Sequence, residues 1–239
     1  MKEVNYFEDL KNTSSFSMDD FVCEFKKKYP KFSDSYAKKT LQKYLYNNQI
    51  ARIGRNKYII LNQQDLLLYS YKLSDKAHKL NEIVSKNFPD LTFKIFELIQ
   101  LNEFFNHQIA HNIFFLFVES GLGDFVFDSL KDEYAGKLLI YPSVTDIEKY
   151  LVDDMIIIEN LTSEAPNEKV KKSMIRLEQL LVDLLCDSSM RSLINVNEIP
   201  EVVNSIMNKY VIDQSKMFRY ARRRNIENKL KNIIFSQGE

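Results

Sequence analysis

Lys38, Lys39, Gln42 and Lys43 fall within six positions of one another in "SDSYAKKTLQKYLYNNQ", and Arg52, Arg55, Asn56 and Lys57 follow closely in "ARIGRNKY". On a helix the first four would share a polar face. Lysine is a flexible point charge suited to phosphates, whereas the Gln42 amide can form two hydrogen bonds to the edge of an adenine. Arginine, asparagine and lysine on a hairpin could reach the sugar-phosphate backbone or the minor groove. The same residues could also form a solvated face that keeps a small domain soluble, or a surface that binds protein.

Other chemistry finds weaker support. Glu103, His107 and His111 are four apart and would share one face of a helix, as zinc ligands can. A zinc protease needs glutamate directly after the first histidine, and Gln108 stands there. A metal-dependent nuclease would need an acidic residue with a lysine two places on at a strand end; neither Glu119 nor Glu159 has one. In "GLGDFVFD" the glycines and the carboxylates Asp124 and Asp128 resemble part of a nucleotidyltransferase pattern, but the acids are four apart and the serine is missing. With five glycines in 239 residues there is no phosphate-cradling loop, and no nucleophile elbow accompanies the three histidines. The expectation is a non-catalytic body without metal or cofactor, and a phosphoryl-transfer enzyme is the alternative.

The elements that would position these residues are partly legible. Ser17 and Asp20 form a capping-box pattern that starts a helix through "DFVCEFKKKY", with Phe21, Phe25 and Tyr29 along its apolar stripe and Pro30 at its end. Ser33 caps a second helix to about Asn48, with Ala37, Leu41, Tyr44 and Leu45 inward. "IARI" and "KYIIL" flank "GRN" as a hairpin. With a short opening helix near Tyr6–Leu10 and an extended piece at Ser14–Phe16, residues 1–62 read as a winged helix-turn-helix domain. Residues 63–90 read as a packed helical connector, broken at Pro89. From Leu91 to Glu239 apolar strands ("IFFLFVE", "KLLIYP", "MIIIENL") alternate with short helices, which predicts a small mixed α/β domain with a partly parallel sheet. A helical C-terminal part follows, with a break at Pro200. The fold class is α/β or α+β.

Composition supports ordered domains, since 45% of the residues are hydrophobic and 13% aromatic. Cys23 and Cys186 lie far apart, form no disulfide framework and suit a reducing cytoplasm. Glu8 and Asp9 interrupt any secretory signal, and no apolar run reaches membrane-spanning length, so a cytoplasmic protein without a membrane is expected. The formal net charge of zero hides segregation. Residues 1–62 carry 12 basic and 7 acidic side chains, net +5; residues 63–209 carry 14 and 23, net −9; residues 210–239 carry 7 and 3, net +4. An acidic body flanked by basic ends permits nucleic-acid binding. In the last segment Arg219, Arg222, Arg223 and Arg224 could form a second phosphate-binding surface, or could fasten the terminal helix to the acidic body.

Three stretches, "SDSYAKKTLQKYLYNNQIARIGRNKYIIL", "NLTSEAP" with "RLEQLLVDLLCD", and "YARRR", make the sequence resemble the AbiE-type (AbiEi-like) antitoxin family of type IV toxin–antitoxin and phage abortive-infection systems. The resemblance implies a two-domain repressor that binds double-stranded operator DNA of its own operon. Its second domain would add to DNA binding and counter a nucleotidyltransferase-like toxin, usually without a stable complex. Carried over, the recognition-helix positions become Lys38, Lys39, Gln42 and Lys43, the wing Arg52, Arg55 and Lys57, and the late basic patch Arg222, Arg223 and Arg224. The acidic middle departs from that picture and suits a protein-facing surface.

Overall fold

The computed structural model describes Leu10 and residues 13–61, 66–166 and 173–235. The expected opening helix near Tyr6–Leu10 lies outside these residues, apart from Leu10. The chain divides into two compact units, Met1–Tyr69 with Met207–Lys216, and Ser70–Ile206 with Met217–Glu239.

In the first unit, helix α1 (Met18–Lys28) opens with Ser17, whose hydroxyl accepts from the Asp20 N–H at 3.1 Å while the Asp20 carboxylate accepts from the Ser17 N–H at 2.8 Å. Helix α2 (Asp34–Tyr46) starts at Ser33 and ends at Asn47. Strands β1 (Ile50–Gly54) and β2 (Lys57–Ile60) pair antiparallel, and Phe16 bridges to Tyr58 at the sheet edge. The core joins Phe21 and Phe25 of α1 to Ala37 and Leu41 of α2 and to Ile50 and Tyr58 of the hairpin. Residues 207–216 complete the unit: Leu67 bridges to Tyr210, and the rings of Tyr69 and Tyr210 meet edge-on at 5.3 Å. The expected helical connector is half realised: residues 66–74 are irregular apart from Leu67, whose backbone pairs with Lys209 and Val211, whereas Asp75–Asn87 is helical.

The second unit holds helix α3 (Asp75–Asn87), strands β3 (Phe93–Glu97) and β4 (Ile113–Glu119), helix α4 (Gly123–Leu130), β5 (Leu138–Ile140), α5 (Val144–Tyr150) and β6 (Met155–Leu161). Helices α6 (Leu177–Cys186), α7 (Ser188–Ser192), α8 (Ile199–Lys209), α9 (Gln214–Arg223) and α10 (Glu227–Phe235) follow, with α8 and α9 each running across a unit boundary. Sheet order is β3-β4-β6-β5, with β4, β6 and β5 parallel and β3 antiparallel to β4. Alternation puts Phe93, Ile95, Phe114, Leu116, Val118, Ile156 and Ile158 on one face, packed with Leu80 and Val84 of α3 and Val126 and Leu130 of α4. The opposite face carries Lys94 and Glu159, which bond to Gln179 of α6 and Ser189 of α7. The sheet is therefore a middle layer covered by helices on both faces. Pro200 lies in the first turn of α8, where its missing N–H costs nothing, so it begins a helix instead of interrupting one. Among the described residues no helix is long and apolar enough to cross a membrane.

Candidate nucleic-acid interface

Helix α2 separates its side chains cleanly. Ala37 and Leu41 are buried, while Lys38, Lys39, Gln42 and Lys43 are all exposed and lie within about 140° of arc, together with Tyr46, 81% exposed. Burial of the apolar side fixes which arc faces water. Around the N-terminus of α2, Phe32 and Tyr36 stack at 4.5 Å between centroids, and Lys26 pairs with Asp34 at 2.5 Å. That contact and its hydrogen bond hold the Asp34 carboxyl below its ordinary range.

At the hairpin turn Arg55, Asn56 and Lys57 are exposed. Asn56 has φ 53°, a left-handed conformation that asparagine tolerates better than most residues, and its Oδ1 accepts from the Met18 N–H at 2.9 Å. It thus serves two structural purposes, turning the chain and satisfying one of the orphan donors at the start of α1. The carboxamide oxygen is committed to α1, whereas Arg55 and Lys57 project into solvent. Arg52 is partly engaged: its Nε donates to Gly54 O at 2.9 Å and lies 3.8 Å from Asp213.

The remaining arginine candidates lie in or beside α9 of the second unit and do not act alike. Arg222 makes a two-pronged contact with Glu227, at 2.9 and 3.1 Å, and remains exposed. Arg223 Nε donates to Ser163 Oγ at 2.7 Å. Arg224 corrects the expected three-arginine patch, because it is turned inward. Its NH1 donates to Thr162 Oγ1 at 2.8 Å and its Nε to Cys186 Sγ at 3.1 Å, with Asp183 and Asp187 each 3.8 Å away. Arg219 pairs with Glu164 at 2.9 Å. The basic run therefore fastens the terminal helices to their own acidic body at three of four positions.

Glu103, His107 and His111 do not share a helical face. Glu103 ends a 3-10 turn (Leu98–Glu103), and His107 and His111 lie in the irregular segment after it, so helical spacing does not apply. His107 contacts Glu198 and His111 lies 3.4 Å from Asp153. Asp124 and Asp128 sit in α4, and Asp128 pairs with Lys131 at 2.9 Å. Among the described residues no group of three metal-type ligands converges.

A buried polar network that no local motif marks as a site occupies the face of β3 and β6 turned to α6 and α7. Lys94, fully buried, donates to Pro166 O at 2.5 Å and Gln179 Oε1 at 2.8 Å. Gln179 donates on to Asp183 at 3.1 Å, and the Tyr220 hydroxyl donates to Asp183 at 2.9 Å. Burial pushes the Lys94 ammonium down to about 8, against the pull of Asp183. Burial likewise pushes the Asp183 and Glu159 carboxyls up to about 7, opposed by Arg224 for the former and by the Ser189 hydroxyl for the latter. The Cys186 thiol is raised to about 11 by burial, which makes it inert. Two signals pointed here: a lysine inside "FKIF", and Gln179 and Asp183 four apart in the otherwise apolar "LEQLLVDLLC".

A family profile described as "Family of unknown function (DUF6577)" matches residues 36–239, from the first turn of α2 to the end of the chain. The chain belongs to the DUF6577 family. The match covers most of α2, the hairpin and the whole second unit. No curated protein matches the chain.

Proposed function

We propose that this DUF6577 chain is a DNA-binding transcriptional repressor whose first unit is a winged helix-turn-helix module. Helix α2 would enter the major groove, with Lys38, Lys39 and Lys43 at phosphates and Gln42 at a base edge. Arg55 and Lys57 at the hairpin turn would bind the flanking backbone. The observation that carries this reading is the partition of α2, whose entire long polar set lies on one solvent-facing arc while the opposite arc fills the core. Asn56 supports it by fixing the turn that carries Arg55 and Lys57. Arg52 is a secondary contact and Arg224 is withdrawn from the set. Combined with the AbiE-type resemblance, the reading extends to an antitoxin that represses its own operon and is paired in function with a nucleotidyltransferase-like toxin in the cytoplasm.

Fluorescence anisotropy of labelled DNA from upstream of the gene, titrated with the full chain, tests the reading. Binding should be strongly salt-dependent, and the Lys38→Ala, Lys39→Ala, Lys43→Ala triple variant should lose most of it. Equal affinity of parent and triple variant would remove DNA from α2 and favour a protein-binding winged helix.

A further inference from the structure

In the second unit, the connections from two neighbouring parallel strands leave on opposite faces of the sheet. After β4 the chain turns to α4, which packs on the face of Leu116 and Ile158; after β6 it proceeds to α6 and α7, which bond to Lys94 and Glu159 on the other face. Connections that diverge in this way prevent the loops from closing over the strand ends, and a crevice opens at the carboxyl edge. Such a crevice is present. It has a volume of about 620 Å³, within the range of small-molecule sites, and is lined by Glu119 and Ser120 after β4, Asn160, Thr162 and Ser163 after β6, and Arg223 from α9.

Arg223 differs from its three neighbours. Arg219, Arg222 and Arg224 each lie against a carboxylate, but the guanidinium of Arg223 meets only the Ser163 hydroxyl among the described residues. That single bond occupies Nε and leaves the paired outer N–H groups, the fork that grips an oxyanion in two parallel hydrogen bonds. The surroundings are held in place before any ligand arrives. Arg224, anchored near Asp183 and Asp187, bonds Thr162, and Arg219 holds Glu164, so the loop after β6 is clamped on both sides of Ser163. Preorganisation of this kind lowers the entropic cost of binding. The Glu119 carboxylate, exposed in the same crevice, makes a polyanion a poor fit and suits a ligand that also bears a hydroxyl or amine.

We propose that the crevice between the carboxyl ends of β4 and β6 binds a small molecule through one oxyanion group, a phosphate or a carboxylate, gripped by Arg223 and Ser163. The site belongs to the second unit alone and stands whether or not the first unit binds DNA. Sodium phosphate and sodium acetate, each titrated into the ¹⁵N-labelled full chain at constant ionic strength, probe the two anions separately. Saturable shifts of the Ser120 and Ser163 amides are expected with at least one of them. Shifts with phosphate alone assign a phosphorylated ligand, and shifts with acetate alone a carboxylate. Arg223→Gln, an exposed change that leaves the fold intact, should weaken the interaction at least tenfold, while Arg222→Gln should leave it unchanged. Absence of saturable shifts with both anions, or identical titrations for parent and Arg223→Gln, would overturn the site. Loss of duplex-DNA affinity in Arg223→Gln without loss of anion binding would overturn it too, and make Arg223 a backbone-phosphate contact.

Discussion

The two units use the same cationic residues in opposite ways. In the first, Lys38, Lys39, Lys43, Arg55 and Lys57 stand in solvent and the core is left to aromatic and aliphatic groups. In the second, Lys94 is fully buried and Arg224 is drawn in among Asp183, Asp187, Thr162 and Cys186. A lysine's identity therefore says little until its surroundings are known. Exposed cations stabilise a domain hardly at all and remain available to a polyanion, whereas buried ones are bound to fixed partners and their loss leaves uncompensated charge.

The largest expected effect breaks the buried side of this contrast. Arg224→Met should destabilise the second unit by about 3–5 kcal/mol, because Asp183 and Asp187 lose their shared cation. Urea denaturation followed by circular dichroism measures it, and a cost below about 1 kcal/mol would show that Arg224 is no more committed than a surface arginine. On the exposed side, Arg55→Ala with Lys57→Ala should leave stability unchanged and reduce the slope of log affinity against log salt by about two. An unaltered slope would place the hairpin turn away from the phosphates. Gln42→Ala should change sequence preference by about 1–3 kcal/mol at one or two base positions while hardly altering the salt slope. Selection of bound sequences compares the motifs, and identical motifs would return Gln42 to a solvated face.

A pH profile sharpens the comparison further. Asp183 and Glu159 hold protons to about pH 7 when folded but only to about pH 4 when unfolded, so their contribution to stability falls as pH rises across that interval. Lys94 releases its proton at about 8 when folded and at 10.5 when unfolded; the unfolded chain then binds more protons, and stability rises again between those values. Thermal midpoints of the second unit should pass through a minimum near pH 7–8. In Lys94→Met the alkaline rise should vanish, and its persistence there would assign it to another group.

Local patterns were readable from sequence and long-range ones were not. The Ser17–Asp20 capping box, the start of α2 at Ser33 and the strand "IFFLFVE" each depend on neighbours within a few residues, and each stands where expected. Strand β3 escaped notice because Lys94 and Glu97 give "FKIFE" a half-polar look, although both are buried with partners supplied from elsewhere: Gln179 and Pro166 for the one, Ser74 and Asn112 for the other. The inward turn of Arg224 depends on Asp183 and Thr162, which no local pattern ties to it. The same holds for the histidines. Four-residue spacing suggested a shared helical face, but the segment is irregular, and His107 finds Glu198 some ninety positions later. On α2 the exposed set was legible because amphipathic periodicity is a local signal; the crevice at the strand ends was not, because it arises from the direction in which distant connections leave the sheet.

The first unit is not finished by its own N-terminal stretch. Leu67 pairs with Lys209 and Val211, and Asp213 lies beside Arg52, so its last backbone partners come from Met207–Lys216. During synthesis these residues leave the ribosome only after the entire sheet and helices α3 to α7 have emerged. Completion of the proposed DNA-binding module thus waits on synthesis of most of the second unit, and a chain stopped by premature termination before Met207 would carry its lysine helix without the segment that completes the fold around it.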